Sequence, residues 1–149
     1  MRLATLERNG KAVTAVRRGN DYIDLSIAAP NLPTDMTALI AVLPQVRKDI
    51  EAAAEKASGN AVVPVASAKF LPVVPKPGKI ICLGLNYADH AAEGGNKVPT
   101  YPAIFLRGTT SLTAHNAPIV RPKCSIQLDY EAELAVIIGK TAKHVSKDQ

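Results

Sequence analysis

Near the end of the chain, Asp129-Tyr130-Glu131-Ala132-Glu133 runs directly into Leu134-Ala135-Val136-Ile137-Ile138-Gly139. The apolar half of this run suits a buried strand, and a strand that opens with two carboxylates restricts what can surround it. Side chains alternate faces along a strand, so Glu131 and Glu133 share one face with Ala135 and Ile137, while Tyr130, Ala132, Leu134, Val136 and Ile138 line the other. Their α-carbons would lie ~6.6 Å apart, and two unit charges at ~6 Å repel by ~3 kcal/mol at an effective dielectric of about 20. A hard divalent cation reverses that sign. Mg²⁺, Mn²⁺ and Ca²⁺ prefer carboxylate oxygens, and Mg²⁺ commonly takes one or two of them alongside water and substrate oxygens. Spacing alone leaves a second reading open, in which the pair points to solvent at a strand end. Ala135 and Ile137 speak for cover on the carboxylate face, and covered carboxylates need partners.

The remainder of the chain must supply that cover. Its 149 residues suffice for one ordinary domain, or for a small domain and part of another. With 47% hydrophobic residues, no Trp, four Tyr and two Phe, burial must come from aliphatic side chains. The net charge of +5 raises the question of an anionic partner. No Lys/Arg cluster interleaved with aromatics appears, so nucleic acid is not expected, and a basic field that draws in small carboxylate substrates is the more economical use of the charge. Cys82 and Cys124 form neither a close pair nor a metal-binding spacing, and the opening Met1-Arg2-Leu3-Ala4-Thr5 lacks the apolar core of a signal peptide. The expected setting is a reducing cytoplasm. No uncharged apolar stretch reaches the ~18 residues of a membrane span, so no membrane partner is expected.

Short β-leaning runs at Leu3 to Glu7, Ala12 to Arg17 and Tyr22 to Leu25 are separated by Asn9-Gly10 and Gly19-Asn20, which predicts an antiparallel meander. After Pro30 and Pro33, Thr34 or Asp35 can cap a helix carrying Met36, Leu39, Ile40 and Leu43, which Pro44 interrupts or restarts. Its continuation to Ala57 places Val46, Ile50, Ala53 and Ala54 at helical spacing, with Gly59-Asn60 as the stop. Periodicity then disappears, and Pro64, Pro72, Pro75 and Pro77 read as an extended connector. A new core opens with Lys79-Ile80-Ile81-Cys82-Leu83, as a buried strand would. The expected organisation is α+β: a small N-terminal meander-and-helix domain over 1–60, a Pro-rich linker over 61–78, and the first part of a mixed, mostly-β core over 79–149. Ser146-Lys147-Asp148-Gln149 has the spacing of a capping box with no helix after it, which suggests the front part of a longer protein.

A second constellation follows the strand at 80–83, in Gly84-Leu85-Asn86-Tyr87-Ala88-Asp89-His90-Ala91-Ala92-Glu93-Gly94-Gly95. If His90 opens a helical turn, Glu93 lies on its side at i, i+3. A carboxylate beside an imidazole orients the ring and favours its protonated form, which makes His90 a candidate general base and Glu93 its positioning partner. Gly94-Gly95 would let the segment move as a loop over a site. An ordinary exposed His–Glu pair worth under ~1 kcal/mol fits the same spacing. Asn86 and Asp89 read as turn and cap residues. The segment lacks both the G-x-G-x-x-G and Walker spacings, so it is not a nucleotide loop. Pro99 to Arg107 reads as a turn and then a strand delivering Arg107, either as a bidentate grip on a substrate carboxylate or as a structural surface Arg. His115 and His144 sit in polar, loop-like contexts and receive no role.

Taken in order, G-L-N-Y-A-D-H-A-A-E, P-A-I-F-L-R, P-I-V-R-P and D-Y-E-A-E-L-A-V-I-I-G-K resemble the fumarylacetoacetate hydrolase family from about Lys79 onward, and the front section resembles the small N-terminal domain of many bacterial members. The resemblance implies a mixed β fold, a homodimer, and Mg²⁺ or Mn²⁺, with Ca²⁺ as a substitute, held by Glu, Glu and a later Asp. Glu131 and Glu133 match the first two ligands, and the third would lie a few tens of residues beyond Gln149. His90 and Glu93 match the family's substrate-loop pair. Arg107 stands where many members have Lys, which keeps the positive charge.

The implied activity is metal-dependent hydrolysis of a carbon–carbon bond in a short, anionic β-diketo acid of the fumarylacetoacetate, fumarylpyruvate or acylpyruvate type, as in the catabolism of aromatic compounds. Sister activities, decarboxylation or isomerisation of 2-oxo acids, use the same metal and similar substrates. Without the third ligand these 149 residues alone are expected to be inactive, and a non-catalytic fragment or binding module is the reading from a different class. Anion or nucleic-acid binding through the basic surface would instead show steep salt dependence without a metal requirement.

Overall fold

The computed structural model describes residues 1–148, so the Gln149 end of the capping-box spacing lies outside the described residues. Contacts divide the chain into two compact units, Met1–Val73 together with the stretch from Thr113 onward, and Val74–Leu112.

In the first unit, β1 (Leu3–Arg8), β2 (Lys11–Arg18) and β3 (Asp21–Asp24) form the expected antiparallel meander. Asn9 and Gly10 both adopt positive φ, 52° and 75°, the two left-handed positions that a type I′ hairpin requires. Alternation then sorts the sheet into two faces. Val16 and Ile23 join Leu25, Leu39, Ile50 and Ala54 in one core cluster, and Ala4, Leu6, Val13 and Ala15 form a second cluster packed by Tyr22, Val63, Ala68 and Phe70.

A short helix α1 (Leu25–Ala28) follows, and then α2 (Met36–Lys56), capped by Asp35, whose side chain accepts a hydrogen bond from the Ala38 amide at 3.0 Å. The helix runs unbroken through Pro44, where the sequence predicts an interruption. Proline in a helix interior costs about 3 kcal/mol. Leu39 and Ile50, one on each side of it, are fully buried and contribute roughly 1.5–3 kcal/mol apiece, enough to hold both halves against the sheet. At the far end Arg18 Nη1 donates to the carbonyls of Ala54 and Ala57 at 2.6 and 2.9 Å, satisfying acceptors that the last turn leaves open.

Residues 61–73, expected to be an extended connector, instead close the sheet at both edges. β4 (Val62–Pro64) pairs with β3, while Lys69 and Leu71 run along the free edge of β1 through Glu7 N–H to Lys69 O at 2.8 Å and Leu71 N–H to Thr5 O at 2.9 Å. Proline limits a strand only where an N–H is needed, so edge positions tolerate it.

From Thr113 onward the described residues form neither helix nor strand. His115 touches Phe70 edge to face with ring centroids 5.3 Å apart, and Phe70 in turn meets Tyr22 at 5.6 Å. The strand expected over Asp129 to Gly139 is absent. A strand needs a ladder of hydrogen bonds along its length, this run belongs to neither sheet described, and Tyr130, Leu134, Val136 and Ile138 are all exposed.

The second unit is built on β5 (Ile80–Gly84) and β6 (Ala103–Arg107), an antiparallel pair whose connection carries α3 (Ala88–Glu93). Ile81, Leu83, Ile104 and Leu106 lie on one face of this pair, and that face is exposed. No helix among the described residues is long and apolar enough to cross a membrane.

Candidate functional site

The second unit shows how the imidazole-bearing turn is built. β5 ends at Gly84, Leu85 turns the chain at a φ of 53°, and α3 starts two residues after Asn86. Ala88, Ala91 and Ala92 are strong helix formers and Asp89 sits in the first turn, where a negative charge suits the helix dipole. Ala91 is fully buried and anchors the helix by one side. Gly94 closes it by donating its N–H to His90 O at 3.2 Å, and the Asn96 amide bonds Ala91 O at 2.8 Å. Gly95 takes the left-handed conformation at φ 66°. The glycine pair therefore forms the hydrogen-bonded end of the helix.

His90 and Glu93 both lie on α3 at i, i+3, on exposed positions away from the Ala91 anchor. Such neighbours are within mutual reach on a helix surface. Arg107 ends β6 and faces Ile80 in the register, whereas Gly84, which leads to α3, faces Ala103. Four residues of ladder, ~13 Å at the strand rise, thus separate Arg107 from the α3 end of the pair.

Glu131 and Glu133 belong to the other unit. Both are exposed, in a segment without strand structure, so the shared strand face expected for them is not formed. Asp129 turns back on its own chain, its Oδ1 accepting from the Tyr130 amide at 2.8 Å. Two carboxylates two residues apart are an oxygen-only donor set, which suits a hard cation such as Mg²⁺ or Mn²⁺. No group of three or more His, Cys, Asp or Glu side chains able to hold a metal ion occurs among the described residues.

The structure also reveals a concave surface that sequence reading missed, between the end of β5 and residues 98–102, lined by Leu83, Leu85, Asn86 and Val98 among others. The signal available in the sequence was Leu85 itself, an apolar residue set between Gly84 and Asn86 at a turn.

Residues 79–149 match the family model described as fumarylacetoacetate (FAA) hydrolase C-terminal. The Dictyostelium discoideum fumarylacetoacetate hydrolase domain-containing protein 2 homolog is 34% identical over 128 residues, covering 86% of this chain and 42% of that protein. The human mitochondrial oxaloacetate tautomerase FAHD2A is 35% identical over 131 residues, covering 85% of this chain and 40% of that protein. Among solved structures, maleylpyruvate hydrolase from Sphingobium sp. SYK-6, in complex with manganese(II) and pyruvate, superposes with a TM-score of 0.57 at 26% identity, over 76% of this chain and 39% of that one. By its residues 79–149 the chain belongs to the fumarylacetoacetate hydrolase family. It spans about two fifths of the length of these curated relatives.

Proposed function

We propose that this chain supplies the imidazole loop and the acidic pair of a metal-dependent enzyme acting on short β-diketo and 2-oxo acids, with hydrolysis of the carbon–carbon bond between an acyl group and a pyruvate unit as its reaction. The observation that carries this reading is the strand–turn–helix from β5 to α3, which puts His90 and Glu93 on one exposed helix within the section that matches the family. Glu131 and Glu133 would hold Mg²⁺ or Mn²⁺, which when bound supplies Lewis-acid polarisation of paired substrate oxygens. The manganese and pyruvate in the Sphingobium structure support that choice of metal and of substrate core.

In this mechanism Glu93 orients the imidazole. A ring nitrogen of His90 takes a proton from water as the water oxygen bonds to the distal carbonyl carbon. The bond from that carbon to the methylene then breaks, its electron pair stays with the pyruvate unit, and the proton on His90 passes to the methylene carbon. One water is consumed, and a carboxylic acid and pyruvate leave. Arg107 adds positive charge that draws the anionic substrate toward this surface. The same reading extends to a homodimer working in the cytoplasm.

A second reading, tautomerisation of a 2-oxo acid, is favoured by the oxaloacetate tautomerases among the relatives. It uses the same proton transfer at the carbon beside the keto group and omits the attack by water. To separate the two, this chain is continued with the remaining C-terminal residues of the Sphingobium maleylpyruvate hydrolase and supplied with Mn²⁺. Loss of acylpyruvate enol absorbance with release of pyruvate supports hydrolysis, and His90→Ala is expected to slow it by about 10²–10⁴-fold. Interconversion of oxaloacetate tautomers without cleavage selects the second reading. A folded chimera that does neither contradicts both.

A further inference from the structure

His115 has no part in the proposed chemistry, yet it joins the stretch that carries the acidic pair to the N-terminal sheet, within one compact unit. A tight turn presents the imidazole. Ala117 donates its N–H to Ala114 O at 3.1 Å, and Asn116 takes a φ of 61° at the third turn position, a conformation that Asn and Gly tolerate best. His115 therefore stands at the corner, its ring edge to face against Phe70 at 5.3 Å and 88°. What it meets is already held in place. Phe70 lies between Lys69 and Leu71, whose hydrogen bonds to Glu7 and Thr5 fix the return segment along β1, and it packs against the second core cluster. On β3, Tyr22 meets Phe70 at 5.6 Å, and the Arg17 guanidinium of β2 lies 5.5 Å from the Tyr22 ring. Further along, the same stretch returns to this unit. A Cβ built at Gly139 would lie 3.8 Å from Ile40 Cγ2 on α2, ordinary van der Waals distance. Glu131 and Glu133 fall between these two points in the chain.

We propose that His115 is a positioning residue: its contact with Phe70 pins the segment bearing Glu131 and Glu133 to the N-terminal sheet, which makes that sheet part of what readies the acidic pair for a cation. The pinning stands on the geometry above, and its purpose rests on the reading of the pair as metal ligands. A segment without helix or strand has no backbone ladder to restrain it, so contacts of this kind decide how much conformational freedom it keeps. Order imposed by the anchor is order that a cation binding both carboxylates need not impose. One edge-to-face ring pair is enough for roughly a two- to tenfold effect. The imidazole serves here as a ring, so phenylalanine can take its place.

The test is NMR of the isotope-labelled whole chain. Heteronuclear NOE values of residues 113–120 read the anchor, and the Mn²⁺ concentration that half-broadens the Glu131 and Glu133 amides reads its effect on the acidic pair. His115→Ala is expected to lower the NOE values and to raise that concentration about two- to tenfold, whereas His115→Phe should keep both near those of the unaltered chain. Phe70→Leu, which retains apolar bulk against the second core cluster, should reproduce His115→Ala, and combining the two should add nothing further. His115 is exposed, so its replacements should leave the thermal unfolding of the sheet and α2 unchanged. NOE values indifferent to His115→Ala, or a loss with phenylalanine equal to that with alanine, would overturn the anchor. NOE values that fall while Mn²⁺ broadening stays the same would overturn its positioning role. If they fall as expected but Mn²⁺ broadens neither glutamate even in the unaltered chain, the anchor stands and the metal reading fails.

Discussion

The first 73 residues and the β5–β6 pair treat similar aliphatic residues in opposite ways. Leu6, Ile23, Leu25, Leu39 and Ile50 have at most 1% of their surface exposed, enclosed by a four-stranded sheet, a 21-residue helix and a return segment that pairs along β1. Ile104 and Leu106 on β6 are 64% and 70% exposed, and Leu134, in the stretch that follows Thr113, is 81% exposed. A two-stranded sheet has no second layer of its own and is at best marginally stable in water. The contrast teaches that the N-terminal section carries its own core, whereas the section bearing the candidate chemistry leaves most of its aliphatic side chains uncovered.

The largest test of that contrast is a pair of truncations. Leu39→Ala is expected to cost about 2–5 kcal/mol through loss of a buried side chain and the cavity it leaves. Leu106→Ala should stay within about 0.5 kcal/mol. Urea denaturation followed by helical circular dichroism measures both, and equal effects would erase the distinction.

Next in size is the buried ion pair. Asp24 is almost fully buried, caps α1 through the Ser26 amide at 2.9 Å and meets Arg8 Nη1 at 3.2 Å, while the same Arg8 nitrogen donates to Asn60 O at 2.7 Å. Asp24→Ala removes the cap and leaves a partly exposed guanidinium without its anion, at a cost of about 2–3 kcal/mol in the same denaturation experiment. Asp24→Asn should recover the capping share of that loss.

A smaller effect of opposite sign is expected at Thr14. Its hydroxyl is buried and has no hydrogen-bond partner among the described residues, although it faces Thr5, whose own hydroxyl donates to Val73 O at 2.7 Å. Thr14→Val keeps the shape, removes the unmet polar group and should stabilise by about 1 kcal/mol. The smallest effect concerns exchange rather than stability. Backbone amides of β1 and β2 should exchange far more slowly than those of residues 126–139, where no ladder protects them. Protection in that stretch comparable to β2 would show that its strand propensity is realised in solution.

How much was legible in the sequence follows the same division. The hairpin at Asn9-Gly10, the Asp35 cap and the buried side of α2 were readable because local turn chemistry and periodicity agree with the packing they lead to. The passage of α2 through Pro44 was not, since it depends on Leu39 and Ile50 finding the sheet. Nor was the role of 61–73, because edge pairing by a proline-rich segment has no periodic signal. At the candidate site, the helix carrying His90 and Glu93 was readable from its alanines and the closing glycines. The strand proposed for Glu131 and Glu133 was inferred from alternation alone, and alternation states which residues could share a face without supplying the neighbour that makes the strand.

The metal assignment is the centre of the functional account, and paramagnetic broadening tests it most directly. Mn²⁺ is added to the isotope-labelled chain with and without pyruvate, and amide signals are followed residue by residue. The account predicts that signals around Glu131 and Glu133 broaden first, and that Glu131→Gln with Glu133→Gln abolishes this broadening. Broadening centred elsewhere, or unchanged in the double variant, would contradict it.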